Sequence, residues 1–386
     1  MILLRRNGRL GAKVRVVCAI SSISALAVAL LSPLAHADPP APIPEPVLPP
    51  LAPGQVIRIG ATAGTGTPTS DYDIGATDLC EFMDFPDGIL QICGDSFAGQ
   101  GVGFGPWHSP IALHVDTDSI DDRSGVRYDR VTGNFKPLLA EPTPAGMSQL
   151  PAGVVQINRE NYLLVTTVKD LVPQTSRLVK ANPAQGNWPT VPKSQRDAAY
   201  EGGRQSQISG YYDPIPKPDS PSGWVYIVAN NFDRSGPVVL YRAKPETFTD
   251  RASWQGWSAQ AGWSKPPTPL WSDRIGEMSV RRIDGKTVLS YFNATTGNME
   301  VRVADDPTGL GAAPATTVVF AGAWPDPAED LPPPEDNRLA QPYGGYISPG
   351  STLDELRVFI SQWNTGPGDN SPYRVIQFAV NPLKPW

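Results

Sequence analysis

The 386-residue sequence predicts an all-β fold, a single-domain five-bladed β-propeller over residues 56–386, and three observations point there. The first is composition. Thirty-six glycines and 43 prolines against 18% charged residues suit many short strands joined by turns and disfavour a helical protein. The second is pattern. From Val56 onward strand-like runs recur, among them GILQICGDSF, ALHVDTDS, YLLVTTV, GWVYIVAN, KTVLSYFN, LRVFISQW and YRVIQFAV, with Gly, Asp, Asn and Pro between them. The third is grouping. The runs fall into five clusters, near 57–115, 150–190, 203–258, 273–320 and 337–382, each long enough for one four-stranded blade with its loops. A β-sandwich is the competing all-β architecture, but at this length it would have to be unusually large or doubled. The one helix anticipated is a short one within Glu246–Trp257.

Taken in order, residues 1–37 read as a signal peptide. Arg5, Arg6, Arg9, Lys13 and Arg15 form a basic start, Val16 to Leu34 an apolar core, and Ala35-His36-Ala37 a small-x-small cleavage site. A retained anchor is the alternative, but Ser21, Ser22 and Ser24 interrupt a run that would need about 20 apolar residues to span a membrane. Residues 38–55 (DPPAPIPEPVLPPLAPGQ) form a proline-rich linker, either an extended spacer or a tail without a role. Losing the leader removes five basic and no acidic residues, so net charge falls from −6 to about −11. That balance argues against nucleic acid and anionic membrane surfaces and is compatible with a neutral polysaccharide. The expectation is a secreted or cell-envelope monomer without stable membrane insertion.

Two cysteines remain after the leader, Cys80 and Cys93, and in an exported protein such a pair reads as a disulfide, two buried free thiols being the alternative. They lie in TDLCEFMDFPDGILQICGDSF, a hairpin turning at Phe85-Pro86-Asp87-Gly88. The register that faces Phe85 with Gly88 also faces Cys80 with Cys93 and Asp78 with Asp95. A one-residue slip would put the members of both pairs on opposite faces, so a disulfide supports the first register. Two carboxylates directly across a strand pair are costly unless solvated, metal-bound, or used with one protonated. Glycoside hydrolysis uses such a pair, one as acid and one as base or nucleophile. The plainer reading is two turn-end aspartates bonded to backbone.

Other constellations carry less. Glu277, opening IGEMSVRRIDGKTVLSYFN, is a candidate third carboxylate if it starts an inner strand; Asp73, Glu201, Arg204 and Gln207 are weaker funnel candidates. Most tryptophans are expected in blade cores. Trp107, Tyr343, Tyr346 and Trp363 are singled out for sugar stacking because they flank Gly- and Pro-rich turns, with His108 beside Trp107. Gly94-Asp95-Ser96 resembles the nucleophile block of SGNH-type esterases, but the chain lacks the late Asp-x-x-His that such a serine needs. His108 and His114 have no second His/Cys cluster to complete a zinc site. Asp116, Asp118, Asp121 and Asp122 miss the EF-hand spacing and read as a solvated turn. No metal and no cofactor are expected.

The runs GATDLC…DGILQICGDSFAG…PWHSPIAL, LYRAKPETFTDRASWQGW and PYGGYISPGSTLDELRVFISQWNTG…PYRVIQF resemble domain-of-unknown-function family 4185 over about residues 56–384. Members have been grouped as endo-D-arabinanases, which implies a five-bladed propeller, a site in its central funnel, and the arabinan of mycobacterial arabinogalactan and lipoarabinomannan as substrate. The family's two essential aspartates lie in TDL and GD-S/T motifs, which match Asp78 and Asp95. Cys93 stands where phenylalanine is common before the GD, a departure that bears on substrate range. The resemblance thus implies an endo-acting, two-carboxylate, inverting glycoside hydrolase. A non-catalytic wall-binding propeller and a glycosidase on another furanoside are the alternatives.

Overall fold

The computed structural model describes residues 49–263, 266–322, 336–365 and 371–383; the expected signal peptide and residues 38–48 of the expected linker lie outside them. The described chain is all-β, its helical elements being short 3-10 turns. The helix anticipated within Glu246–Trp257 is instead two such turns, Pro245–Thr247 and Arg251–Ser253, followed by the strand Gln255–Ser258. The Asp250 carboxylate explains the break: it accepts from Ala252 N–H at 3.2 Å and so starts a new turn instead of continuing the old one.

The strands form successive antiparallel meanders. Glu81–Phe85, Gly88–Cys93, Ile111–Val115 and Tyr128–Thr132 make the first. The second begins at Ser148–Ile157 and the third at Gln207–Asp213; the two share one nine-stranded sheet through a short parallel contact, Gly210 with Val155 and Tyr211 with Gln156. The fourth runs from Ile275–Ile283 to Ala315–Ala321 and adds Arg338–Leu339 in parallel. The last combines Pro342–Ile347, Leu356–Trp363 and Tyr373–Val380 with the N-terminal strand Val56–Gly64. Local chemistry sets the hairpins: Asp284 and Gly285, both at positive φ (49° and 78°), supply the tight turn that pairs Ile283 with Lys286.

The leading strands of these meanders touch one another in cyclic order. Among the described residues five apolar clusters lie one between each neighbouring pair, for example Met83, Leu90 and Ile92 against Val154, Leu163 and Trp188. Sheets covered on both faces explain why runs such as YLLVTTV are buried throughout instead of alternating. Trp188, Trp224 and Trp254 are core residues, as expected of most tryptophans.

The linker ends earlier than its proline content suggests. Leu51 is buried, Asn381 Nδ2 donates to Leu51 O at 2.9 Å, and Gly54 N–H donates to Asn381 O at 2.9 Å. Residues 49–55 therefore continue the closure made by Val56–Gly64 against the C-terminal strand. Proline excludes a ladder role here, yet backbone carbonyls remain free to accept.

Candidate active site

Asp78 lies where the ladder of the first hairpin opens. Thr77 pairs with Ser96 on one side and Glu81 with Ile92 on the other, in the same register, which sets Asp78 opposite Asp95. The Cys80–Cys93 disulfide is present between them, with Cα atoms 3.9 Å apart, as the sequence predicted. The backbone here is irregular. Leu79 has φ 48°, its N–H is held by Ser361 Oγ at 3.0 Å, and Gly94 N–H donates to Asp78 O at 2.8 Å. A left-handed leucine is costly and persists because its surroundings enforce it. Gly94 is required sterically: a Cβ there would stand 2.7 Å from Asp78 Oδ1.

The Asp78 side chain is 5% exposed. Tyr343 Oη donates to its Oδ2 at 2.9 Å, the Tyr373 hydroxyl lies near enough to lower its pKa, and Oδ1 has no hydrogen-bond partner among the described residues. Burial, reinforced by the Asp95 charge, pushes this carboxyl from an ordinary 3.8 up to about 8; the two tyrosines pull it down and Glu277 raises it further. Asp78 is therefore protonated at neutral pH. Asp95 is more open. Trp107 Nε1 donates to its Oδ1 at 2.8 Å; burial raises its pKa, while Trp107, which bonds the ionised form, and the nearby Ser109 hydroxyl pull it back. The two carboxyl groups of one hairpin thus have different surroundings, one sealed and neutral, the other held by donors.

Glu277 is buried in the Ile275–Ile283 strand and is brought close enough to raise the Asp78 pKa. It is not a free acid. Arg234 Nη2 and Nε donate to its Oε1 at 2.6 and 3.1 Å, and Gly344 N–H donates to Oε2 at 3.3 Å.

The expected sugar-stacking aromatics separate into two groups. Trp107 and Trp363 are 39% and 37% exposed, and Trp363 packs edge-on against Tyr373 at 5.9 Å between ring centroids. Tyr343 and Tyr346 do not stand apart from the core as expected. At 7% and 4% exposed they belong to the apolar cluster around Cys80 and Phe82, and neither offers an open ring face. The glycines beside them, Gly344 and Gly345, leave room for close packing: a Cβ at Gly345 would stand 2.2 Å from Met299 Cε. His108 pairs with Ser96 across a short strand next to Asp95, and burial lowers its imidazole pKa against the pull of Asp73.

Of the weaker candidates, Glu201 accepts from Tyr241 Oη at 2.9 Å and lines an outer groove with Arg204, while Gln207 is buried in its strand. The acidic loop is occupied by its own chain: Asp116 caps the turn Thr117–Ser119, Asp122 pairs with Arg127 and Asp121 with Arg357. Among the described residues no group of His, Cys, Asp and Glu is arranged to hold a metal. Sequence reasoning missed Tyr373 and Arg234. Tyr373 opens the run YRVIQFAV, where an aromatic reads as core, and Arg234 lies in a loop without pattern.

Residues 63–379 match the sequence profile of the family described as domain of unknown function (DUF4185). An uncharacterized 35.9 kDa protein from the asd 3′ region of Mycolicibacterium smegmatis is 74% identical over 332 residues, 86% of this chain and 100% of the relative. Notoamide biosynthesis cluster protein J′ of Aspergillus versicolor is 33% identical over 158 residues, 39% of each chain. In fold, the chain is similar to a candidate hydrolase of Bacteroides ovatus, with TM-score 0.50 and 14% identity over 79% of this chain and 86% of that one. A weaker likeness, TM-score 0.46 at 11% identity, links 84% of the chain to 90% of a GH43_1 enzyme from Xanthomonas citri.

Proposed function

The chain belongs to the DUF4185 family, and from that premise we propose that it is an exported glycoside hydrolase cutting D-arabinan of an actinobacterial envelope from within the polymer. Asp78 and Asp95 are its acid/base pair. One observation carries this reading: two carboxyl groups on one hairpin, Asp78 sealed and protonated near neutral pH, Asp95 facing the open side beside an exposed Trp107. A proton retained on a buried carboxyl is what a general acid needs, and a more open carboxyl whose ionised form accepts an indole N–H is what a base needs. Asp78 gives its proton to the leaving sugar oxygen. Asp95 takes one from water on the opposite face of the ring, which inverts the anomeric centre.

The remaining parts of the proposal follow the same lines. The five meanders are blades of a propeller whose funnel holds the pair, and Trp107 and Trp363 flank the sugar chain. Export with loss of the leader near Ala37 is consistent with the disulfide. Hydrolysis by two carboxyl groups needs no organic or redox cofactor. A wall-binding propeller would use the same exposed tryptophans, but it gives no reason to bury a carboxyl whose Oδ1 lacks a partner.

The test is digestion of purified mycobacterial arabinogalactan by the protein without its leader, beside Asp78→Asn and Asp95→Asn. Arabino-oligosaccharides from the parent alone, with inverted anomers in early NMR spectra, are the expected outcome. Polymer binding without release by the folded parent would replace this reading with the wall-binding one.

A further inference from the structure

Arg234 reaches the site from an irregular turn, with φ 58°, and two interactions hold it there. Its Nε and Nη2 both end on Glu277 Oε1, and its guanidinium lies over the Tyr343 ring at 5.3 Å and the Phe292 ring at 5.0 Å. Glu277 in turn anchors Gly344 N–H, the peptide next to Tyr343, and Tyr343 Oη holds Asp78 Oδ2. Gly276 leaves the space for this arrangement: a Cβ there would meet Phe292 at 2.7 Å and Arg234 at 3.2 Å.

We propose that the Arg234–Glu277 ion pair is the positioning element of this site, clamping Tyr343 from its ring face and its backbone and thereby fixing Asp78. This rests on Asp78 and Asp95 being the acid/base pair. Arg234 and Glu277 are positioning residues and not catalytic ones, because both act through Tyr343 and through their field.

The charges give the inference a signature that a merely structural pair would lack. The groups around Asp78 are Asp95 across the hairpin, Tyr343 and Tyr346 from the Pro342–Ile347 strand, Tyr373 from the C-terminal strand, and Glu277 from Ile275–Ile283. Arg234 faces Tyr343, Tyr346 and Glu277, and Glu81 faces Tyr346. Glu277 raises the Asp78 pKa and Arg234 is paired with Glu277, so by their charges the two members of the pair should act on Asp78 with opposite sign. Removing the anion by Glu277→Gln leaves Arg234 uncompensated and favours ionised Asp78. Removing the cation by Arg234→Gln leaves Glu277 uncompensated and favours protonated Asp78.

The experiment is a carbon-13 titration of the Asp78 carboxyl in aspartate-labelled protein without substrate, with circular dichroism as the fold control. The midpoint is expected to fall in Glu277→Gln, rise in Arg234→Gln, return toward the parent's in the double variant, and stay closer to the parent's in Arg234→Lys than in Arg234→Gln. The basic limb of arabinan hydrolysis should move with it. Unchanged midpoints in folded variants, or both single variants moving the same way, would overturn the proposal. If the parent does not cut arabinan, the titration still decides the role of the pair, and only the functional reading falls.

Discussion

Asp78→Asn should make the protein inactive and, above neutral pH, more stable. The substitution keeps the shape of the side chain and its acceptor for Tyr343 Oη, 2.9 Å away, while removing the ionisable group. Folding raises this carboxyl from 3.8 to about 8. Between those values the unfolded chain has released the proton and the native chain keeps it, so the native state binds more protons and stability falls as pH rises. Below about pH 4 both states are protonated, and above about pH 8 both are ionised, so the loss is complete. At ~1.4 kcal/mol per pKa unit the full cost is about 6 kcal/mol. The amide that replaces the carboxyl brings N–H donors to the place where Oδ1 has no partner, which costs about 1–3 kcal/mol. A net gain of about 3–5 kcal/mol at pH 9 remains. Glu81, also buried and raised to about 8, adds a similar slope, so Asp78→Asn should reduce but not abolish the fall in stability between pH 5 and 8. Urea unfolding at pH 5, 7 and 9 measures this. A variant less stable than the parent at pH 9, or with an undiminished slope, would refute the burial argument. A gain in stability with loss of activity is what a site that buries an ionisable group for function should show.

Other outcomes follow from single contacts. Trp107→Phe keeps an aromatic ring but removes the N–H donated to Asp95 Oδ1 at 2.8 Å. The Asp95 pKa should rise, and the acid limb of the hydrolysis profile should shift to higher pH with KM little changed. Gly94→Ala introduces a Cβ 2.7 Å from Asp78 Oδ1. It should cost about 1–3 kcal/mol in unfolding experiments and lower kcat more than Asp95-side changes alter KM, because the clash displaces the acid.

The hairpin around Asp78 was legible because its determinants are local. A Pro-Asp turn, two cysteines and the strict alternation of strand side chains leave one register that closes a disulfide, and the same register places Asp78 against Asp95. The all-β class was equally legible from short apolar runs between turn residues. The burial of Tyr343 and Tyr346 was not. Gly344 and Gly345 mark a turn in the sequence, but in the fold they allow close approach of Tyr346 and Met299. Arg234 was invisible for a related reason: nothing in ANNFDRSG indicates that a left-handed turn will carry its guanidinium to Glu277.

The division follows sequence distance. The chain itself determined which two carboxylates share a hairpin, since strand pairing over a short turn depends on neighbours alone. Only tertiary packing decided that one of them is neutral. The tyrosine that holds Asp78 lies 265 residues further along, and a further charge beside it, Glu277, comes from a third strand. Those groups meet because apolar faces of successive sheets close on one another, and it is that closure, excluding water from Asp78, that raises its pKa.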